Sequence, residues 1–281
     1  MSRSGVQIPP GPLNPKKKQT IMKLTRKNGL AAVEIEPQLV DKKRALEIVQ
    51  QLVSNDERIY PIPYSFIKND TLDTLNTVMQ ALGLYTFPTI ELCEWLHEQI
   101  DDNPEYEPHS AIEICAGTGW IGRQLGIPIT DIKNMDNVTV QDIMLDSGSV
   151  PTIYADDVET LEAMDAVNKY NPEIVIGSYV TSKQLVDKID KRKAMTVGFR
   201  IPGGGVIEQN LMDIVRKEIK VGVDVQGIFR KVYKVILVCN MRTHRSESYI
   251  NLPHQSLSFP WLITRGDNKQ ARILIYTNKN W

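Results

Sequence analysis

The stretch Ala111-Ile112-Glu113-Ile114-Cys115-Ala116-Gly117-Thr118-Gly119-Trp120-Ile121-Gly122 decides how this chain is read. It is a short apolar run of strand length that passes straight into glycines and then into a helical segment. Glycines at such a junction let the backbone turn sharply and approach a ligand closely. In open α/β sheets that junction lies at the carboxyl ends of the strands, where ligands bind. The segment therefore predicts a nucleotide-type site at the end of a central strand.

Outward from this turn the same texture continues. Short apolar runs at 111–115, 128–130, 152–155, 173–176, 195–201, 233–239 and 272–276 predict strands. Helical segments are expected near 120–125, 158–170, 183–191 and 208–217. This alternation predicts right-handed βαβ crossovers and a mostly parallel sheet. The last two strands are joined by the polar stretch 240–269 without an obvious helix, which predicts an antiparallel pairing at one edge.

Before the turn, apolar spacing from Pro37 to Ser54 predicts an amphipathic helix. A second helix is expected with Asp70 or Thr71 as its cap and Gly83 as its stop, and a third after Pro88 with Leu92, Trp95, Leu96 and Ile100 on one face. Residues 22–86 are thus expected to form an N-terminal helical extension to a domain at 87–281. Residues 1–21 hold Pro9-Pro10-Gly11-Pro12 and Lys16-Lys17-Lys18, have little to bury, and are expected to be a disordered tail. They resemble peptide read from upstream non-coding sequence, with Met22 as the expected start.

Composition narrows the partners. The 33 basic and 34 acidic residues nearly cancel, so bulk charge calls for neither nucleic acid nor a membrane surface. Cys93, Cys115 and Cys239 are widely spaced, which suits reduced thiols, and His97, His109, His244 and His254 show no metal-ligand spacing. Absence of a long apolar run leads to the expectation of a cytoplasmic protein with no membrane partner.

Two ligand chemistries compete for the turn. Gly117-x-Gly119-x-x-Gly122 has the spacing of a dinucleotide fingerprint, and Asp136 lies near the distance at which such folds place a ribose-binding acid. Glu113 argues otherwise, because a carboxylate inside a buried strand costs several kcal/mol unless it is hydrogen-bonded or faces a charged ligand. With Glu113, Gly117 and Gly119 in place, the segment resembles the first motif of class I S-adenosylmethionine-dependent methyltransferases, Asp/Glu-x-x-x-Gly-x-Gly. Many members of that family carry glycine where this chain has Cys115.

The resemblance implies an α/β fold of the Rossmann-like class I methyltransferase sandwich, mostly parallel with an antiparallel C-terminal strand, preceded by N-terminal helices. It implies S-adenosyl-L-methionine as cofactor, cradled by Cys115, Gly117 and Gly119 and oriented by Glu113. An acid ending the second strand is then expected on the ribose, for which Asp131 comes first and Asp136 second. An acid after the third strand is expected on the adenine amine, and Asp156 is the expected residue.

Chemistry is expected at the turn after the fourth strand, Ile176-Gly177-Ser178-Tyr179-Val180-Thr181. There Ser178 joins the cofactor set, and Tyr179 is the candidate catalytic residue, placed to stack on or hydrogen-bond a planar substrate. The Asp/Asn-Pro-Pro-Tyr/Phe pattern of amino methyltransferases is missing at this point, which speaks against a nucleobase amine and leaves the methyl acceptor unidentified. Pro202-Gly203-Gly204-Gly205 is expected to be a flexible connection at the same edge. The alternatives are an NAD(P)-dependent oxidoreductase and a non-catalytic cofactor-binding protein of the same fold.

Overall fold

The structure is a computed structural model that describes residues 23–27, 30–34, 41–101, 109–136, 141, 150–181, 222–244 and 247–281. The expected strand at 195–201, the helices at 183–191 and 208–217, the glycine run at 202–205 and the tail at 1–21 lie outside the described residues.

The chain is a mixed α/β fold. Among the described residues its main sheet has five strands in the order β3-β6-β7-β9-β8: β3 (Ala111–Ile114), β6 (Ile174–Ser178), β7 (Lys234–Asn240), β9 (Ala271–Thr277) and β8 (Gln255–Leu257). β3, β6 and β7 pair in parallel, whereas β9 runs antiparallel to both β7 and β8. A parallel pair, β4 (Thr130–Asp131) and β5 (Glu159–Thr160), continues this sheet beside β3 through a parallel bridge between Glu113 and Ile129.

Side-chain alternation along the strands sorts the core onto two faces. Ile174, Ile176, Ile236, Val238, Ile273 and Ile275 face α1 (Lys42–Leu52), α3 (Leu72–Ala81), α4 (Ile90–Ile100) and α5 (Trp120–Leu125). Ile112, Ile114, Val175, Val235, Leu237 and Leu274 face α6 (Ala163–Tyr170) and α7 (Val225–Phe229). Leu92 and Leu96 are buried in the first face, as their helical spacing predicts, and Trp120 is buried there too. The helices before the turn therefore share the core of the sheet and are not an appendage to it.

Local caps explain where these helices begin and end. Asp41 and Thr71 accept the backbone N–H groups of Arg44 and Thr74, so α1 and α3 each start on a side-chain cap. α3 closes on Gly83 at φ 65, with the Leu84 N–H donating to Met79 and the Gly83 N–H to Gln80, a Schellman arrangement.

Three expectations are corrected. Residues 22–86 are not wholly helical, because β1 (Lys23–Lys27) and β2 (Leu30–Glu34) pair antiparallel, with Asn28-Gly29, a dipeptide favoured in two-residue hairpins, in the sequence between them. Residues 152–155 form no strand, and the third strand is β5, inside the stretch read as helix at 158–170. The polar stretch 240–269 contributes two more elements, α8 (Glu247–Ile250) and the edge strand β8. A short helix, α2 (Tyr64–Ile67), also follows Pro63.

Candidate functional site

Three successive strand tips end in left-handed backbone. Cys115 follows β3 at φ 51, Lys133 follows β4 at φ 54, and Tyr179 follows β6 at φ 55. A side chain there is strained by about 1–2 kcal/mol, and such positions gather at functional sites. Gly117 and Gly119 share the conformation, at φ 57 and 72. Steric need is greater at Gly119, where a Cβ would stand 2.8 Å from Val158 and 3.0 Å from Ile129, than at Gly117, where it would meet the Thr152 methyl at 3.4 Å.

Glu113 lies beneath this turn and is 1% exposed. Its Oε2 accepts the Gly122 N–H at 2.7 Å, and its carbonyl accepts the Thr130 hydroxyl at 3.0 Å. Burial pushes its carboxyl up to about 8; the Gly122 N–H opposes the rise, and the charge of Asp131 adds to it.

Asp131 ends β4 at the turn, as the sequence predicts. Its Oδ2 accepts the Gly117 N–H at 3.0 Å and its Oδ1 the Lys133 N–H at 2.8 Å. Burial raises its carboxyl above the usual range, while those two N–H groups pull it down. Asp136, the second choice, is exposed in a 3-10 turn at Asn134–Asp136.

Asp156 is placed differently from the expectation. It is exposed and precedes β5, so it does not stand at the carboxyl tip of the third strand. Its neighbour Asp157 pairs with Arg123 at 2.8 Å and clasps the crossover to α5. The acid that follows the third strand is Glu162, at the N-cap position of α6, a residue that sequence reasoning missed because it misplaced the strand.

Cys115 reports how these acids converge. Burial raises its thiol far above the usual range, and Asp131, Glu113 and Glu162, in that order, reinforce the rise. Within the turn, the Thr118 hydroxyl is buried without a hydrogen-bond partner. The structure thus brings together Glu113, Cys115, Gly117, Gly119 and Asp131, and adds Glu162.

Residues 83–87 form a strap across the strand tips. Gly83 carbonyl accepts the Thr152 hydroxyl at 2.9 Å, Thr86 and Ser178 hydroxyls lie 2.7 Å apart, and the Phe87 N–H donates to Ile263 at 2.9 Å. Ser178 is therefore held by the strap. Tyr179 is held too, since its hydroxyl donates to the Arg265 carbonyl at 2.6 Å. Its ring lies 5.2 Å from Tyr85 and meets His244 edge-on at 4.7 Å. Burial raises the Tyr179 phenol well above its usual range and lowers the imidazole pKa of His244. The hydroxyl is thus engaged on a backbone carbonyl and the ring packed between Tyr85 and His244, which suits Tyr179 to positioning the strap.

Two surface grooves lie elsewhere. One of about 510 Å³ is lined by Tyr60, Ile90, Cys93 and Gln124, and one of about 440 Å³ by His97, Ile127 and Pro172. Neither touches the glycine turn. Among the described residues no group of three His, Cys, Asp or Glu side chains gathers as for a metal, and no helix is long and apolar enough to cross a membrane.

No family model matches this chain, and no curated protein matches it. Among solved structures, the crystal structure of Thermoplasma acidophilum 1320 aligns at 13% identity over 76% of this chain and 99% of that one, with a TM-score of 0.28, a likeness that carries no argument about function.

Proposed function

We propose that the chain is an S-adenosylmethionine-dependent methyltransferase with a Rossmann-like class I fold, acting in the cytoplasm on an acceptor that its cofactor site does not specify. One observation carries the reading. The carboxyl groups of Glu113, Asp131 and Glu162 all lie close enough to the glycine turn to act on the Cys115 thiol. The amides of Gly117 and Gly122 already donate to two of these acids.

A dinucleotide site uses such amides to hold a pyrophosphate, whereas here they already donate to Asp131 and Glu113, and Asp131 and Glu162 are set to repel an anion. A ligand bearing an ammonium and a sulfonium meets them favourably. The residues thus fit the cofactor, and the partnerless Thr118 hydroxyl offers a further polar contact within the turn. Strand order supports the same reading: β5-β4-β3-β6-β7-β9-β8, with the reversed β9 next to the last parallel strand. The reversal agrees with the antiparallel C-terminal strand that the motif resemblance implies.

When bound, the cofactor supplies an electrophilic methyl group. The protein's part is then alignment, because an in-line displacement gains most from holding the reacting atoms in register. Glu113 and Asp131 hold the turn in shape, Glu162 adds negative charge at its rim, and the strap at 83–87 covers the crevice against water. Tyr179 positions the strap through Arg265.

The test is isothermal titration of the full chain with S-adenosylmethionine, S-adenosylhomocysteine and NAD(H), repeated on Gly117→Arg. Binding of the sulfur pair at roughly micromolar strength, abolished by the substitution, is the expected result. Binding of NAD(H) alone would replace this reading with an oxidoreductase.

A further inference from the structure

Arg265 is a cation that no acid answers among the described residues. It lies between β8 and β9, where its backbone N–H donates to the Tyr85 carbonyl in the strap at 2.8 Å. Its guanidinium carbon stands 4.3 Å over the Tyr85 ring, and Nη2 donates to the Met79 carbonyl at 3.3 Å. Nε is sealed from solvent without a partner, although the residue as a whole keeps some accessible surface. Among the described residues no carboxylate pairs with it, and the groups that favour its charge are the phenols of Tyr85 and Tyr179.

Arginine keeps its charge throughout the physiological range, so burial without a counter-charge costs free energy that an apolar side chain of similar size would avoid. The guanidinium also lies close to the tip of β6, since it and the Tyr179 phenol act on each other's charge and the Tyr179 hydroxyl donates to the Arg265 backbone carbonyl. At one end of the strap, Gly83 touches Thr152 over the acid-lined turn; at the other, Tyr85 lies under Arg265. The strap is therefore flanked by acids at its glycine-turn end and by a cation at its Tyr85 end.

We propose that Arg265 anchors an oxyanion, a carboxylate or a phosphate, on the small molecule that receives the methyl group. The anion site follows from Arg265 itself; its assignment to a methyl acceptor rests on the methyltransferase reading. With Nη2 on the Met79 carbonyl and Nε sealed from solvent, the contact rests on the guanidinium's remaining donors and on its fixed charge, which selects acidic acceptors over neutral or cationic ones.

The experiment titrates the full chain separately with inorganic phosphate and with benzoate, following the unfolding temperature and the Nε–H resonances of the arginines, with S-adenosylhomocysteine titrated in parallel. One anion is expected to bind in the millimolar range, to raise the unfolding temperature and to shift the Arg265 resonance. Arg265→Gln is expected to weaken it at least about tenfold, with Arg265→Lys between the two. Preference for phosphate identifies a phosphorylated acceptor, and preference for benzoate a carboxylated one.

Silence from both anions up to about 50 mM, or equal binding by wild type and Arg265→Gln, overturns the proposal. Where Arg265→Gln does not fold, the wild-type Arg265 resonance decides: a saturable shift sustains the site and an unmoved one overturns it. Anion binding without S-adenosylhomocysteine binding removes the methyltransferase reading and keeps the oxyanion site, and the reverse pattern removes the oxyanion site alone.

Discussion

Glu113 Oε2 accepts the Gly122 N–H at 2.7 Å, so the acid of the central strand is tied to the first turn of the helix it precedes. The same oxygen would lie 2.9 Å from a Cβ built on Gly122, which leaves glycine as the residue that fits there. A carboxyl held in this way is sealed from water, and its protonation is linked to folding.

Its carboxyl titrates near 8 in the folded chain against an ordinary 4.5. A raised folded pKa means that its contribution to stability is complete below 4.5 and is lost as pH rises through 8. Glu113→Gln keeps an acceptor for Gly122 and removes the titration. Urea unfolding from pH 5 to 9 is expected to show wild type losing roughly 3 kcal/mol or more relative to the variant. Parallel curves would refute the linkage.

Two glycines of the same turn are expected to separate folding from binding. Gly119→Ala places a methyl against Val158 and Ile129 in a left-handed residue and is expected to cost roughly 2–3 kcal/mol. Gly117→Ala meets the Thr152 methyl at ordinary contact distance, so its cost is the backbone strain of about 1 kcal/mol. Denaturant midpoints measure the first difference. Titration with S-adenosylhomocysteine measures the second, since Gly117→Ala is expected to fold and to bind weakly.

Cys115 occupies a left-handed position that glycine fills without strain. Relief of that strain offsets the lost packing of the thiol, so Cys115→Gly is expected to be near neutral, whereas the β-branched Cys115→Val is expected to lose about 2 kcal/mol or more. Burial raises the Cys115 thiol and takes those of Cys93 and Cys239 up to about 12. Mass-spectrometric alkylation at pH 8 is expected to label Cys93 and Cys239 at the rate of unfolding; fast labelling of either would contradict its burial.

Tyr179→Phe removes the shorter of two hydrogen bonds to the Arg265 carbonyl and leaves the one from Asn240 Nδ2 at 3.4 Å. Loss of about 1–2 kcal/mol of stability is expected, with S-adenosylhomocysteine affinity retained, because the phenol acts on the strap and not on the cofactor. A variant that folds as well as wild type but no longer binds would instead place the hydroxyl in the cofactor site.

Much of this architecture is written locally. The run from Ala111 to Gly122 specifies a strand, a left-handed turn and a helix in succession, and Thr71 and Gly83 bound α3 as caps do anywhere. Continuous apolar runs at 235–239 and 273–276 specify two buried strands whatever their partners. The hairpin of β1 and β2 carried its own signal in Asn28-Gly29.

Tertiary structure decided the rest, because the relevant energies act between residues far apart in sequence. β5 is two residues long and has no periodicity of its own; it is a strand because its backbone pairs with β4. That pairing puts Glu162 and not Asp156 after the third strand. The raised carboxyl of Glu113 comes from burial and from Asp131 across the sheet, and the isolation of Arg265 from the absence of any acid near it among the described residues. Sequence names the groups that carry charge, and packing sets what surrounds them and hence their protonation and their partners.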